Sequence, residues 1–369
     1  MKFDRRLFFN FDWTLLILVF VIGFIGLLNI YSAGRSLYDF KQETLYVKQA
    51  QWIIIGLVFM VITLCIDYRF ICQSAYIIYA FSVGLLILVA IYGYATHGSQ
   101  RWIALGGFFF QPSELVKLSM ILALAKYFSA STLNTSYSLR DLLIPFLIVL
   151  IPFLFIIKQP DLGTALILVI LFFSIIFFVG IKWKSLLIAV SSTLILTPIG
   201  WFLLKDYQKE RILTFFDPER DPLGSGYHII QSIIAIGSGR VLGKGYLKGT
   251  QTQLKFLPVQ QTDFVFSVFA EEWGFLGGLI LMTLFLTLIL WCLKTALHSR
   301  DQMGMMLSIG VTMLLFWEVF INIGMVLGVL PVVGIPLPFF SYGGSSMIVL
   351  MTSLGLVMNV RMRRFALQP

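Results

Sequence analysis

Apolar residues run in long blocks along this chain, and polar positions gather between the blocks. A helix needs roughly 20 apolar residues to cross the hydrocarbon of a bilayer. Ten segments reach or approach that length: about 12–33, 49–66, 71–93, 114–129, 141–157, 162–180, 186–204, 264–293, 304–330 and 345–360. The fourth to sixth are short and closely spaced. The pattern predicts an all-α polytopic membrane protein, a single integral membrane domain over residues 1–369. One large polar loop, about 205–263, precedes the eighth span. The start, Met1 to Arg6 followed by an apolar run, has the outline of a signal peptide. The run from Trp13 to Tyr31 is longer than a signal core and reads as a first span.

Composition agrees. The chain is 59% hydrophobic and only 12% charged, where soluble domains carry about 25% charged residues. A soluble core could not absorb that much apolar side chain without large exposed patches. Orientation follows from Lys and Arg in the short loops. Lys2, Arg5 and Arg6 precede the first span. Arg69, Arg140, Lys182, Lys184, Lys294 and Arg300 fall in alternate loops on that same side, and Arg361, Arg363 and Arg364 follow the last span. An even number of spans with both termini cytoplasmic fits. Arg35, Lys41 and Lys48 lie on the other face and weaken the bias without reversing it.

The net charge of +9 is explained by this loop bias and by attraction to anionic lipid. No segment offers the soluble basic face that nucleic-acid binding needs. Cys65, Cys72 and Cys292 form no C-x-x-C pair, which predicts neither a disulfide framework nor a zinc site. His97, His228 and His298 are too scattered for a zinc cluster and read as ordinary polar positions.

The candidate chemistry clusters at the outer ends of spans. The large loop is basic, net +3 before Asp263. Its centre, Gly226-Tyr-His-Ile-Ile-Gln-Ser-Ile-Ile-Ala-Ile-Gly, has helical apolar spacing and predicts an interfacial amphipathic helix. The following stretch, Gly237-Ser-Gly-Arg-Val-Leu-Gly-Lys-Gly, has the outline of a phosphate loop. Ser238 stands where a nucleotide-binding loop needs glycine, and Gly245 where it needs Ser or Thr. No nucleotide cofactor is expected. The glycines still permit close backbone approach to a ligand, with Arg240 and Lys244 adding charge.

Glu114 and Lys117 are three residues apart, so they share a helix face and can pair. Charges inside a span are costly unless paired or facing a polar cavity. Asp161, in Lys158-Gln-Pro-Asp-Leu-Gly-Thr164, is equally a helix cap or a site group. Glu271 and Glu272, and Glu318 with Asn322, should point into the bundle, where packing and register is the favoured role. Residues 334–346 are rich in proline and glycine at membrane depth. Such backbone is tolerated only against protein or a water-filled cavity, so it should line an outward vestibule.

Asp263 sits where the polar loop runs into the eighth span. As a cap it would meet the helix dipole. As a site group it would be a carboxylate base among cations at 101, 117, 211 and 244 that gather round an anionic leaving group. That pairing suits glycosyl transfer from a lipid pyrophosphate, with the cations or a divalent metal stabilising the departing diphosphate. A transporter would place its ionisable groups near the midplane and show an internal repeat, and no repeat is visible here. A scaffold that only activates a partner would leave Asp263 dispensable.

These stretches resemble the SEDS family (shape, elongation, division and sporulation), most closely its RodA branch. The matching motifs are Arg101-Trp with Gln111-Pro-Ser-Glu-x-x-Lys117 and Gln159-Pro-Asp-Leu-Gly-Thr164. Asp221-Pro-Leu-Gly-x-Gly-Tyr-His, Gly243-Lys-Gly-x-x-x-Gly-Thr-Gln and Thr262-Asp-Phe-x-Phe-Ser follow. Glu271-Glu-x-Gly-Phe, Asn322-Ile-Gly-Met and Ser341-Tyr-Gly-Gly-Ser-Ser346 complete the set. The resemblance covers nearly the whole chain. It implies ten transmembrane helices and a peptidoglycan glycosyltransferase that polymerises glycan strands from lipid II, with inversion at the donor sugar. The work is done on the outer face of the bacterial cytoplasmic membrane during elongation and rod-shape maintenance. It implies Asp263 as general base on the acceptor hydroxyl, and as the candidate ligand where a divalent cation (Mg or Mn) takes part. Lys48, Arg101, Glu114, Lys117, Asp161, Arg211, Lys244 and Ser346 form the implied substrate-binding set. The implied partners are a class B penicillin-binding protein and the rod elongation complex. One departure is clear: the family pattern Leu-Pro-Glu-x-His-Thr-Asp has Val259 and Gln261 here in place of its Glu and His.

Overall fold

The computed structural model describes residues 11–364 apart from 36–43, 97–98, 106–107, 131–136, 186, 189–190, 192–201, 203–205, 222–223, 255 and 258. The predicted span 186–204 lies almost entirely outside the described residues, as do Lys2, Arg5, Arg6, Lys41 and His97.

The other predicted spans are helices. In chain order they are α1 (Trp13–Gly34), α2 (Leu45–Cys65), a short α3 (Tyr68–Gln73), α4 (Ala75–Tyr92), α5 (Pro112–Ala130), α6 (Leu143–Lys158) and α7 (Leu162–Val179). The large loop contributes α8 (Asp206–Phe216), α9 (Ser225–Ser238) and a single turn, α10 (Thr250–Gln253). Then come α11 (Val265–Leu297), α12 (Gln302–Val326) and α13 (Gly344–Met362). The chain is a multi-pass helical membrane protein. Ile77, Phe81, Phe177 and Phe275 project from the outside of the bundle, as expected where lipid is the solvent. α5, α12 and α13 are buried over most of their length and form its centre.

Four aspartates cap helix starts. Asp12, Asp67, Asp161 and Asp301 each accept a backbone N–H in the first turn of α1, α3, α7 and α12, satisfying donors that a helix start leaves free. Three of them also pair with Arg at one end of the bundle: Asp12–Arg361 at 2.9 Å, Asp67–Arg363 at 3.4 Å and Asp301–Arg69 at 3.1 Å. The first pair ties the start of α1 to the last turn of α13, so both ends of the described chain lie at the same end of the bundle.

Two features depart from expectation. Residues 94–110, expected as a loop between spans, form a small antiparallel sheet: β1 (Tyr94–Thr96), β2 (Ser99–Leu105) and β3 (Phe108–Phe110). Tyr94 pairs with Trp102 and Ile103 with Phe110. The β-branched and aromatic residues here suit a pleated surface, and the sheet carries Arg101 and Trp102. The predicted amphipathic helix forms as α9: Ile233 and Ile234 stay exposed while the other face packs against protein. Ile229, Ser232 and Ala235 are buried, and Ser232 Oγ donates to the Val326 carbonyl at the end of α12.

The second departure is in α11, which is broken at Gly274 (φ 66°, ψ −165°), backbone open essentially to glycine alone. Freed backbone groups pair with the glycine-rich loop. Lys244 and Gly245 N–H donate to the carbonyls of Glu271 and Glu272, and Phe275 and Leu276 N–H donate to those of Arg240 and Val241. The loop is a plug seated in the broken helix. A Cβ on Gly274 would lie 2.2 Å from the Gly243 nitrogen. Gly274→Ala should therefore destabilise the protein by about 2–5 kcal/mol, from the forbidden backbone region and the overpacking together. A clear drop in the thermal midpoint of the purified protein would show this, and an unchanged midpoint would refute the plug.

Candidate active site

Asp263 precedes α11 by two residues, and its position is set by backbone hydrogen bonds to the non-helical stretch 331–343. Asn322 Nδ2, from α12, donates to the carbonyls of Asp263 (3.1 Å) and Ile335 (2.7 Å). Ser341 Oγ donates to the Thr262 carbonyl (2.6 Å) and accepts from Leu337 N–H (2.8 Å). Tyr342 N–H donates to the Gln261 carbonyl (2.9 Å). Gln49, in α2, donates to the Ser341 carbonyl and accepts from Gly343 N–H. Gly334 (φ 76°) lets this backbone pass the carboxylate: a Cβ there would stand 3.3 Å from Asp263 Oδ2.

The carboxylate lines a cavity of about 290 Å³. Arg101 and Trp102 of β2, Glu114 and Lys117 of α5, Asp161 and Thr164 of α7, and Ser345 and Ser346 of α13 face the same space. Arg101 Nε donates to the Gln159 carbonyl (3.0 Å), another guanidinium nitrogen donates to Pro160, and Nη1 lies 3.7 Å from Asp161 Oδ1. Asp161 also caps α7 through Thr164 N–H and Oγ1 and accepts from Gln111 Nε2. It is both a cap and a cavity group.

At the inner wall Lys117 is buried between two acids: Nζ lies 2.9 Å from Glu114 Oε1 and 2.5 Å from Glu318 Oε1. The pair expected from the i,i+3 spacing is present, with a third member from α12. Glu318 and Asn322 thus reach beyond packing and register. Glu318 holds the cavity's ammonium, and Asn322 holds the backbone of Asp263. What their sequence pattern does reveal is a shared helix face; the side chains they meet lie far away in the chain.

The structure brings Asp263, Arg101, Glu114, Lys117, Asp161 and Ser346 into one cavity. Arg211 of α8 is not part of its wall, but its charge acts on Asp263. Lys48 and Lys244 are not among the cavity residues. Lys48 is exposed on α2. Lys244 Nζ binds Glu271 Oε1 at 2.7 Å and Thr250 Oγ1 at 2.7 Å, and Glu271 also accepts from Gln251 and Thr252 N–H. The loop's cation thus seats the plug on α11. Trp102, Gln111, Thr164, Tyr342 and Ser345 line the cavity without having been singled out; only the motifs they sit in pointed to them.

Electrostatically the cavity departs from a ring of free cations. Arg101 is matched by Asp161, and Lys117 by two glutamates. Burial raises the Asp263 pKa above the usual carboxylate value. A Thr262 side-chain hydrogen bond and the Arg211 charge oppose the rise, Asp161 adds to it, and Arg101 opposes it weakly. Among the described residues no cluster of three or more His, Cys, Asp or Glu could hold a metal. A magnesium-like ion is commonly held by one or two carboxylates plus substrate phosphates; both oxygens of Asp161 are already engaged by Thr164, Gln111 and Arg101, which leaves Asp263 as the candidate ligand in the cavity.

Together these features define a class: an integral membrane protein that holds a buried carboxylate and paired charges in one cavity at the end of its helices. The chain belongs to the FtsW, RodA and SpoVE family of cell cycle proteins, whose family model matches residues 12–365. It is 41% identical over 356 residues to the peptidoglycan glycosyltransferase MrdB of Escherichia coli K12, covering 96% of this chain and 94% of that one. It is 32% identical to the peptidoglycan glycosyltransferase RodA of Treponema pallidum, covering 96% and 98%. Among solved structures it is similar to a chain of a peptidoglycan synthase complex that coordinates polymerization and crosslinking (TM-score 0.82, 34% identity, 96% and 99% covered). It is also similar to the rod shape determining protein RodA of Thermus thermophilus (TM-score 0.71, 30% identity, 96% and 98% covered).

The triad generates a test. Lys117→Met leaves two buried carboxylates facing each other and should cost about 3–5 kcal/mol. The triple variant that also carries Glu114→Gln and Glu318→Gln removes those charges and should recover much of the thermal midpoint. A triple variant no more stable than Lys117→Met would show that the triad's charge balance is not what the fold depends on.

Proposed function

We propose that the chain is a peptidoglycan glycosyltransferase that extends glycan strands from lipid II by inverting glycosyl transfer. The observation that carries this reading is the placement of Asp263: a carboxylate of raised pKa, held by its backbone on the wall of a polar cavity at the membrane edge. Near-full-length similarity to relatives named peptidoglycan glycosyltransferases supports it.

Asp263 takes the proton from the acceptor sugar hydroxyl as that oxygen bonds to the anomeric carbon of the donor. The bond from that carbon to the diphosphate breaks on the opposite face, and lipid diphosphate leaves with the electron pair. Arg101, on the cavity wall, is the guanidinium placed to receive developing negative charge, and the charge of Arg211 acts from α8. Thr164, Ser345 and Ser346 bring hydroxyls to the same space. A divalent cation, Mg or Mn, would add charge stabilisation to the diphosphate, with Asp263 as its candidate protein ligand.

On this reading the protein has ten spans with both termini in the cytoplasm. The cavity faces outward from the bacterial cytoplasmic membrane, where lipid-linked precursor is used. Its partners are a class B penicillin-binding protein that crosslinks the new strand and the rod elongation complex; the synthase complex among the structural relatives supports the first. Val259 and Gln261 stand where the family pattern has Glu and His. Tyr342 N–H bonds the carbonyl of Gln261, so this position serves the site through its backbone.

Reconstituted with its partner and labelled lipid II, the wild-type protein should make glycan strands. Asp263→Asn, folded and partner-bound, should be slower by about 10²–10⁴-fold, the usual loss of a general base. Equal polymerisation would refute the assignment, and transport without polymerisation by the wild type would favour a flippase.

The pH profile supplies a second test. A base works ionised, so activity falls as pH drops through the Asp263 pKa, and burial places that limb higher than for an ordinary carboxylate. Arg211 opposes the rise, so Arg211→Gln should move the acid limb of kcat/KM to still higher pH. An unmoved limb would remove Arg211 from the site.

A further inference from the structure

A diphosphate that departs from the donor sugar must also leave the protein, and the charges of the cavity bear on how readily it does. The charged side chains on its wall are two cations, Arg101 and Lys117, and three carboxylates, Glu114, Asp161 and Asp263. Carboxylates outnumber cations, so the cavity as a whole does not attract an anion. Lys117 is held between Glu114 and Glu318. The grip on a diphosphate at the wall therefore comes down to Arg101.

Arg101 is fixed where it stands. Its Nε donates to the Gln159 carbonyl at 3.0 Å, and Nη2 donates to the Pro160 carbonyl. These bonds use two of the five donors of a guanidinium. Nη1 lies 3.7 Å from Asp161 Oδ1, which is a charge contact and too long for a hydrogen bond. Asp161 is fixed as firmly. Oδ1 accepts from Thr164 N–H at 3.3 Å, and Oδ2 accepts from Thr164 Oγ1 at 3.0 Å and from Gln111 Nε2 at 3.2 Å. Neither partner is free to retreat when an anion arrives. Nη1 meets the diphosphate with a carboxylate already beside it, and like charges set side by side are costly.

We propose that Asp161 tunes release: it holds down the affinity of Arg101 for diphosphate, so that the lipid diphosphate product departs after transfer. The proposal rests on the glycosyl-transfer reading, which supplies the diphosphate. Release of product limits the turnover of many enzymes. Affinity expressed equally toward substrate and product brings no gain in the chemical step. Asp161 acts through Arg101 and is a positioning residue, not a catalytic one.

The test measures that affinity directly. Full-length wild type and Asp161→Asn are titrated with inorganic pyrophosphate by calorimetry, in buffer with EDTA so that no divalent ion bridges the two. Asparagine matches aspartate in shape and caps helices as well. Gln111 can turn its amide to meet the new side chain, so α7 should hold. The variant should bind pyrophosphate about tenfold more tightly, a modest share of the cost of one like charge beside an anion. The gain should vanish when Arg101→Gln is added, because the two residues act as a pair. Equal or weaker binding by Asp161→Asn would overturn the proposal, and so would a gain that survives Arg101→Gln. Should Asp161→Asn not fold, Asp161→Ser keeps a cap without the charge and is judged by the same outcomes. In strand synthesis from labelled lipid II the variant should show a lower KM and stronger inhibition by added pyrophosphate, with no rise in kcat. A higher KM with inhibition unchanged would mean that Asp161 only supports the fold. Strand synthesis by the wild type tests the glycosyltransferase reading and pyrophosphate affinity tests Asp161, so failure of one is told apart from failure of the other.

Discussion

Backbone polar groups away from water must find partners inside the protein, and the architecture around the cavity follows from that constraint. Residues 331–343 and 259–263 are non-helical where the helices converge. Asn322, Ser341 and Gln49 supply the side-chain donors and acceptors that these strands of backbone require. The same bonds place Asp263. α11 meets the constraint differently, by lending freed groups at its break to the backbone of residues 240–245. The glycines in that loop are there for contact with a helix, although their composition is equally that of a ligand loop.

Charge follows a parallel rule. Lys117, Arg101 and Lys244 all have carboxylates within contact distance, so positive charge near the cavity is balanced before any substrate arrives. Such balance keeps the fold tolerable in a medium of low polarity. It also means that an incoming diphosphate competes with Asp161 for Arg101 instead of meeting an idle cation.

Much of this was legible along the chain. Apolar blocks of span length marked the helices, and the i,i+3 spacing of Glu114 and Lys117 gave their pair. Asp263 drew notice as an acid at a polar–apolar junction. What escaped was contact between distant segments. Glu318 reads as one acid in an apolar helix until α12 is laid beside α5. The three strands at 94–110 are short, and the glycines between them in the sequence read equally as a loop. Lys244 carries the right charge for a phosphate site, and only the fold shows Glu271 waiting beneath it.

Glu318 and Asn322 are four residues apart on α12, which is about 6 Å of helical rise. One grips the buried ammonium at the inner wall, and the other grips the backbone of Asp263. The separation between these two features is thus measured out by a stretch of hydrogen-bonded helix, about as stiff a spacer as a polypeptide offers. α12 works as a gauge block for the chamber. A residue inserted between 318 and 322 would alter that spacing and turn one of the two side chains off the shared face, without changing either group.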